Sequence, residues 1–222
     1  MIAVASPAPP RRQVSAIERL LSLPALFRGA DLTVRFRWTS KTASQYLWLW
    51  RQRGLVQPLG GHSDVHANLL KDPVPDWQRA VLMAMPSAVV VGVEALRCVG
   101  WTTQIQRRPD IAVNGTHRIF GIDPFVALPR TPEWFEAVRP GIRRGPPDTL
   151  PVLRPAWALA DMLQTQGWGK CGLWPDDVYW DEAGAQDRDD WRLAAAALGA
   201  PAAAMQDVEH GLAHGRFGES RG

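Results

Sequence analysis

The stretch Thr39-Ser-Lys-Thr-Ala-Ser-Gln-Tyr-Leu-Trp-Leu-Trp-Arg-Gln-Arg-Gly54 runs directly into Leu55-Val-Gln-Pro-Leu-Gly-Gly61. At about 100° per residue, Ala43, Tyr46, Leu47 and Trp50 share one face of a helix, and Lys41, Ser44, Gln45, Trp48 and Gln52 share the opposite face. The spacing predicts a helix over 41–53. A side-chain oxygen of Thr39 or Ser40 can cap its first turn. Gly54 stands just past its last turn, where a left-handed residue is commonly needed. A capped helix whose polar face carries short hydrogen-bonding side chains suits the major groove of DNA. Lys and Gln reach base edges there, and Ser reaches bases or phosphates. A solvated amphipathic surface helix has the same pattern. Trp48 is the odd residue on the polar face. It could pack on a thymine methyl or a sugar, but its size favours bending back against the following hairpin or a second domain.

The neighbouring segments sharpen this reading. Residues 16–21 have helical periodicity, and 27–34 could form a second short helix. A connection through Phe36-Arg37-Trp38 leads to the capped helix. After Gly54 come a β-like run over 55–59, a turn cluster over 60–64 and a return strand over 65–69. Three helices and a two-stranded wing in this order predict a winged helix-turn-helix over 11–72. Residues 1–75 hold ten Lys and Arg against four acids, a net of +6, whereas the remainder holds fifteen against eighteen, a net of −3. A basic N-terminal third attracts phosphate and supplies salt-dependent affinity. The expected DNA-contacting set is therefore Arg35, Arg37, Ser40, Lys41, Thr42, Ser44, Gln45, Trp48, Arg51 and Arg53. An ordinary solvated basic surface is the alternative.

A chain of 222 residues, 46% of them apolar, can hold one large domain or two small ones with real cores. No apolar run approaches the ~18 residues of a membrane helix. Residues 1–10 are rich in Ala and Pro and lack the charged start of a secretory signal, so a loose tail and a cytoplasmic protein are expected. Cys98 and Cys171 are too few for a disulfide framework. The eleven tryptophans, spread from Trp38 to Trp191, read mostly as core residues.

Lys71-Asp-Pro-Val-Pro75 predicts a linker, since its two prolines oppose helix. Beyond it, 76–222 reads as a mixed α/β domain, which makes the whole chain α+β. Helices are expected over 77–84, 94–99, 154–164 (with Pro155 at the start) and, in two pieces broken near Gly199-Ala-Pro201, over 187–213. A strand-like run over 87–91 leads into the second of these. Strands are expected over 110–113 and 119–128, with Asn114-Gly115 as a tight-turn signal.

Three passages resemble the AbiEi-type antitoxins of abortive-infection, type IV toxin–antitoxin systems. The first is Ser44-Gln-Tyr-Leu47 leading to Arg53-Gly-Leu-Val56. The second is Pro86-Ser-Ala-Val-Val-Val-Gly-Val-Glu-Ala-Leu-Arg-Cys-Val-Gly-Trp-Thr-Thr-Gln104. The third is Leu153-Arg-Pro-Ala-Trp-Ala-Leu-Ala-Asp-Met-Leu163. They cover about residues 15 to 165, in the family's order. The resemblance implies an antitoxin that represses its own operon through its N-terminal domain. Its second domain would counter a nucleotidyltransferase-like toxin encoded beside it, with or without direct contact. The wing departs from the family: Gly60-Gly-His-Ser-Asp-Val65 carries neither the Arg nor the Tyr usual there. The acidic, Trp-containing segment 174–191 has no counterpart in it.

Enzyme signals are weak. His62/His66 and His210/His214 have i,i+4 spacing but no evident third metal ligand. The Gly-Ser and Asp-x-Asp pair of a nucleotidyltransferase is missing, as is a phosphate-binding glycine loop. Pro147-Asp148 resembles the start of a restriction-type nuclease motif, but no Asp-x-Lys or Glu-x-Lys follows anywhere in the chain. The acids between Asp176 and Asp190 lack the glycine and spacing of an EF-hand. The reading is a non-enzymatic regulator with no cofactor, whose partners are double-stranded DNA and, functionally, a cognate toxin, and not a membrane. The alternative is a mobile-element or nucleoid-associated protein whose winged helix makes protein contacts.

Overall fold

The computed structural model describes residues 15–214 and is an α+β protein with two sheets. Among the described residues, no helix is long and apolar enough to cross a membrane. The chain divides into two compact units. Among the described residues, one comprises 15–58 together with Asp64–Pro75, and the other Leu59–Ser63 together with 76–214.

The N-terminal unit runs α1 (Ala16–Leu21), β1 (Leu26–Arg28), α2 (Gly29–Phe36), α3 (Ser40–Gln52), β2 (Val56–Pro58) and β3 (Val65–Asn68). Ser15 and Glu18 form a reciprocal capping box that starts α1. The expected second helix begins two residues later than predicted. Leu26–Arg28 is instead an edge strand pairing antiparallel with β3, which lies between β1 and β2. Backbone hydrogen bonding to β3 overrides the local helical pattern of Phe27 and Arg28. Leu20, Leu23, Phe27, Leu32, Ala43, Trp50 and Val56 make the core. Fully buried Asn68 closes it, donating from Nδ2 to the Leu20 carbonyl at 2.8 Å.

The second unit carries α4 (Trp77–Ala84), β4 (Val89–Val90), α5 (Gly92–Arg97), β5 (Asp110–Asn114), β6 (Val126–Arg130), α6 (Pro132–Val138), β7 (Ile142–Arg143), β8 (Val152–Leu153), α7 (Pro155–Thr165), α8 (Ala185–Leu198) and α9 (Ala202–His214). Its sheet is ordered β6-β5-β4-β8-β7, with β5/β6 and β4/β8 parallel and the other two pairs antiparallel. The turn signal at Asn114-Gly115 therefore does not make a hairpin. The chain travels back through 116–125 before β6, which begins at Val126 rather than near residue 119. All residues of α7 from Pro155 to Leu163 are buried, as expected of a helix apolar on every side. Its single acid, Asp161, is held by Arg130 at 2.9 Å and by the Trp134 indole N–H at 2.8 Å. Within this unit Gly61 packs on the backbone of Gly121, so closely that a Cβ at Gly61 would collide with the Gly121 carbonyl.

Of the tryptophans, 50, 101, 157 and 191 are fully buried. Trp48 departs from the expectation that it packs back: it is 62% exposed. The acids of 174–191 are largely used locally. Asp177 accepts from the Trp174 N–H at 2.7 Å and Asp187 from the Gly184 N–H at 2.8 Å. Asp190 pairs with Arg154 at 3.0 Å.

Candidate nucleic-acid interface

The site is built on α3. Thr39 is its N-cap, with Oγ1 accepting from the Thr42 N–H at 3.2 Å. The helix is entered through a tight turn in which Arg37, the residue after α2, takes a left-handed conformation at φ 53°. Gly54 follows the helix at φ 65°, a backbone geometry costly for any residue with a Cβ.

The inner face of α3 is fixed by aromatics. Trp38 stacks on Tyr46 with ring centroids 4.2 Å apart. Tyr46 and Trp38 lean on buried Trp50 at 5.5 and 6.4 Å, and Phe36 on Trp38 at 4.7 Å. Arg19 of α1 closes the stack: its guanidinium lies over both the Trp38 and Tyr46 rings and donates to the Tyr46 hydroxyl at 3.2 Å. Offset aromatic pairs add about 0.5–1.5 kcal/mol each beyond burial, so the roll angle of α3 is well determined. Helical spacing alone puts Tyr46 and Trp50 on this face but assigns no role to Trp38 or Arg19. The Arg19 contact joins residues 27 apart, which no local spacing reveals.

The outer face is therefore presented outward. Lys41, Ser44, Gln45, Trp48 and Gln52 are all exposed, as is Ser40 at the first turn. Thr42 is half-buried and its hydroxyl lies 3.0 Å from that of Thr39, so it serves the cap rather than the outer face. Arg51 and Arg53 lie on opposite flanks of this face by helical spacing and are exposed, near the helix end where cations are favoured. Arg35 and Arg37 are exposed in the last turn of α2 and just after it. Among the described residues none of these five cations forms an ion pair.

Beside the helix, β3 carries a buried histidine. His66 packs on Phe27 at 5.5 Å and its Nδ1 has no partner among the described residues. Burial pulls its pKa below the ordinary 6.5 and the Arg51 charge lowers it further, while Asp64 acts the other way. His62, by contrast, is exposed in the turn at φ 61°. The two histidines thus lie on a turn and a strand, not on one helical face, and no group of three potential metal ligands occurs among the described residues. Loop 59–63 offers no Arg, Lys or Tyr.

No family model matches the chain, and no curated protein matches it. A solved structure does: the RV2827C protein from Mycobacterium tuberculosis aligns with 96% of this chain and 81% of its own, at a TM-score of 0.55 and 17% identity. At that identity the likeness is one of fold.

Proposed function

We propose that the chain is a sequence-specific, double-stranded-DNA-binding transcriptional regulator. In this reading the N-terminal unit is a winged helix-turn-helix, with α3 in the major groove and β2–β3 as the wing. The second unit is the antitoxin-like part of an AbiEi-type protein that represses its own operon and counters a nucleotidyltransferase-like toxin. The observation that carries the proposal is the division of α3. Its inner face is locked by the Trp38–Tyr46–Trp50 stack, while Lys41, Ser44 and Gln45 stand exposed on the outer one. Capped N-terminal residues of a helix reach base edges in this docking mode. The five cations around the helix, unpaired among the described residues, suit phosphates. The antitoxin role rests on the sequence resemblance alone.

The test is a gel-shift titration of the full chain on its own promoter. Gln45→Ala should cost about 1–3 kcal/mol at one operator position, and an unrelated duplex should bind far more weakly. Unchanged affinity and unchanged sequence preference would remove α3 from the role. Rescue of growth beside the neighbouring toxin gene checks the second function.

Exposed Trp48 favours a second reading, since tryptophan is enriched among energetically dominant residues of protein interfaces. The chain would then belong to a mobile element or nucleoid and use the same helix for a protein partner. Promoter binding that survives Trp48→Ala, Lys41→Ala and Gln45→Ala together would favour it.

A further inference from the structure

The second unit contains a cavity of about 230 Å³ between the β4–α5 junction, the starts of β5 and α7's last turns, floored by Val91, Leu128 and Met162. Four charged side chains line it: Asp110, Arg130, Asp161 and Lys170. Arg130 pairs with Asp161 at 2.9 Å, its buried Nε has no hydrogen-bond partner among the described residues, and its charge also acts on Asp110. Asp110 and Lys170 are the two lining charges that stand outside an ion pair among the described residues. Asp110 accepts from the Gln106 side-chain amide at 3.2 Å and makes no ion pair among the described residues. Lys170 is exposed and likewise unpaired among them. None of the cavity's lining residues is aromatic. A planar base would find no stacking surface, although stacking is what sequence-tolerant base binding uses.

We propose that this cavity binds a small zwitterion of the α-amino acid class. Its ammonium would face Asp110, its carboxylate Lys170, and its side chain the Val91, Leu128 and Met162 floor. The site's four charges sum to zero, so a net-neutral ligand of opposite polarity completes both unpaired groups without leaving a new one. The volume lies below the roughly 300–1,000 Å³ of pockets that take drug-sized ligands, which suits a single amino acid rather than a nucleotide. Asp110 is half-buried, and burial pushes its carboxyl above the usual carboxylate range. An ammonium beside it would relieve that desolvation. Cys171 also lines the cavity, but burial pushes its thiol up, so it stays protonated and takes no part as a nucleophile. The proposal is independent of the DNA reading.

The experiment is calorimetric titration of the full chain with each of the common α-amino acids, with simple alkylamines and carboxylates, and with adenine. At least one amino acid should bind, and its amine-only and acid-only analogues should bind at least about tenfold more weakly. Lys170→Met alters an exposed side chain and leaves the fold intact. It should weaken that amino acid by about ten- to a hundredfold, as should Asp110→Asn. Circular dichroism of both variants should match the parent. The proposal is overturned if no amino acid binds, if adenine or a simple amine binds better, or if the folded Lys170→Met variant binds unchanged.

Discussion

Two residues around α3 separate binding from stability. Trp48 has its ring largely in water and contributes little to the core, so Trp48→Ala should leave the melting temperature near that of the parent while weakening promoter binding. A large drop in melting temperature would instead mean that the indole packs on the protein in solution. Arg37 is the sharper probe. Its left-handed backbone costs roughly 1–2 kcal/mol in a residue with a Cβ. Arg37→Gly removes that strain but frees the unfolded chain by about 0.4–1 kcal/mol. Stability should therefore stay level or rise by up to about 1.6 kcal/mol, read from a urea midpoint, while DNA affinity falls through the lost cation. Equal losses in both would show that the guanidinium holds the α2–α3 turn.

At the scale of elements, the sheet of the N-terminal unit carries a pH dependence. The neutral imidazole of His66 is favoured by its burial against Phe27, and the unfolded chain takes up the proton more readily. The stability tied to this residue is complete above the ordinary pKa of 6.5 and is lost as pH falls through the lower folded value. Urea midpoints measured between about pH 7.5 and 5.5 should decline with acid, and His66→Leu should flatten that decline. What was legible in the sequence follows the range of the interactions. α3 was readable because Thr39, the apolar spacing and Gly54 all act within one helix. The helix of α7 was readable because Pro155 and its continuous apolar run are local. β1 was hidden because Phe27 and Arg28 are extended only through pairing with His66 and Val65. The β5–β6 pair was misread because Asn114-Gly115 signals a hairpin locally, while the parallel register is set by distant pairing. The α6 signal was present: Thr131 caps the helix and Pro132 opens it. For the candidate site, the exposed face of α3 follows from helical spacing, whereas the parts played by Arg19 and Trp38, which set the helix's roll, do not.

For the whole molecule, the charge is unevenly placed. The +6 of residues 1–75 against the −3 of the rest gives a chain whose modest overall +3 understates its attraction to phosphate at one end. Promoter affinity should fall steeply with added salt, with a log–log slope of about −0.9 for each phosphate neutralised. Alanine at a true phosphate contact among Arg35, Arg37, Lys41, Arg51 and Arg53 should reduce that slope by about one unit. An affinity indifferent to salt would count against all five.

The contrast between two indoles in water and four sealed ones has an optical meaning. Trp50, Trp101, Trp157 and Trp191 are shielded from solvent dipoles and emit toward the blue, whereas Trp48 and Trp174 supply the red edge of the fluorescence band. Quencher added to the solvent would silence that edge first. A duplex seated on α3 would shelter Trp48, so the unlabelled protein reports occupancy of the helix through the colour of its own emission.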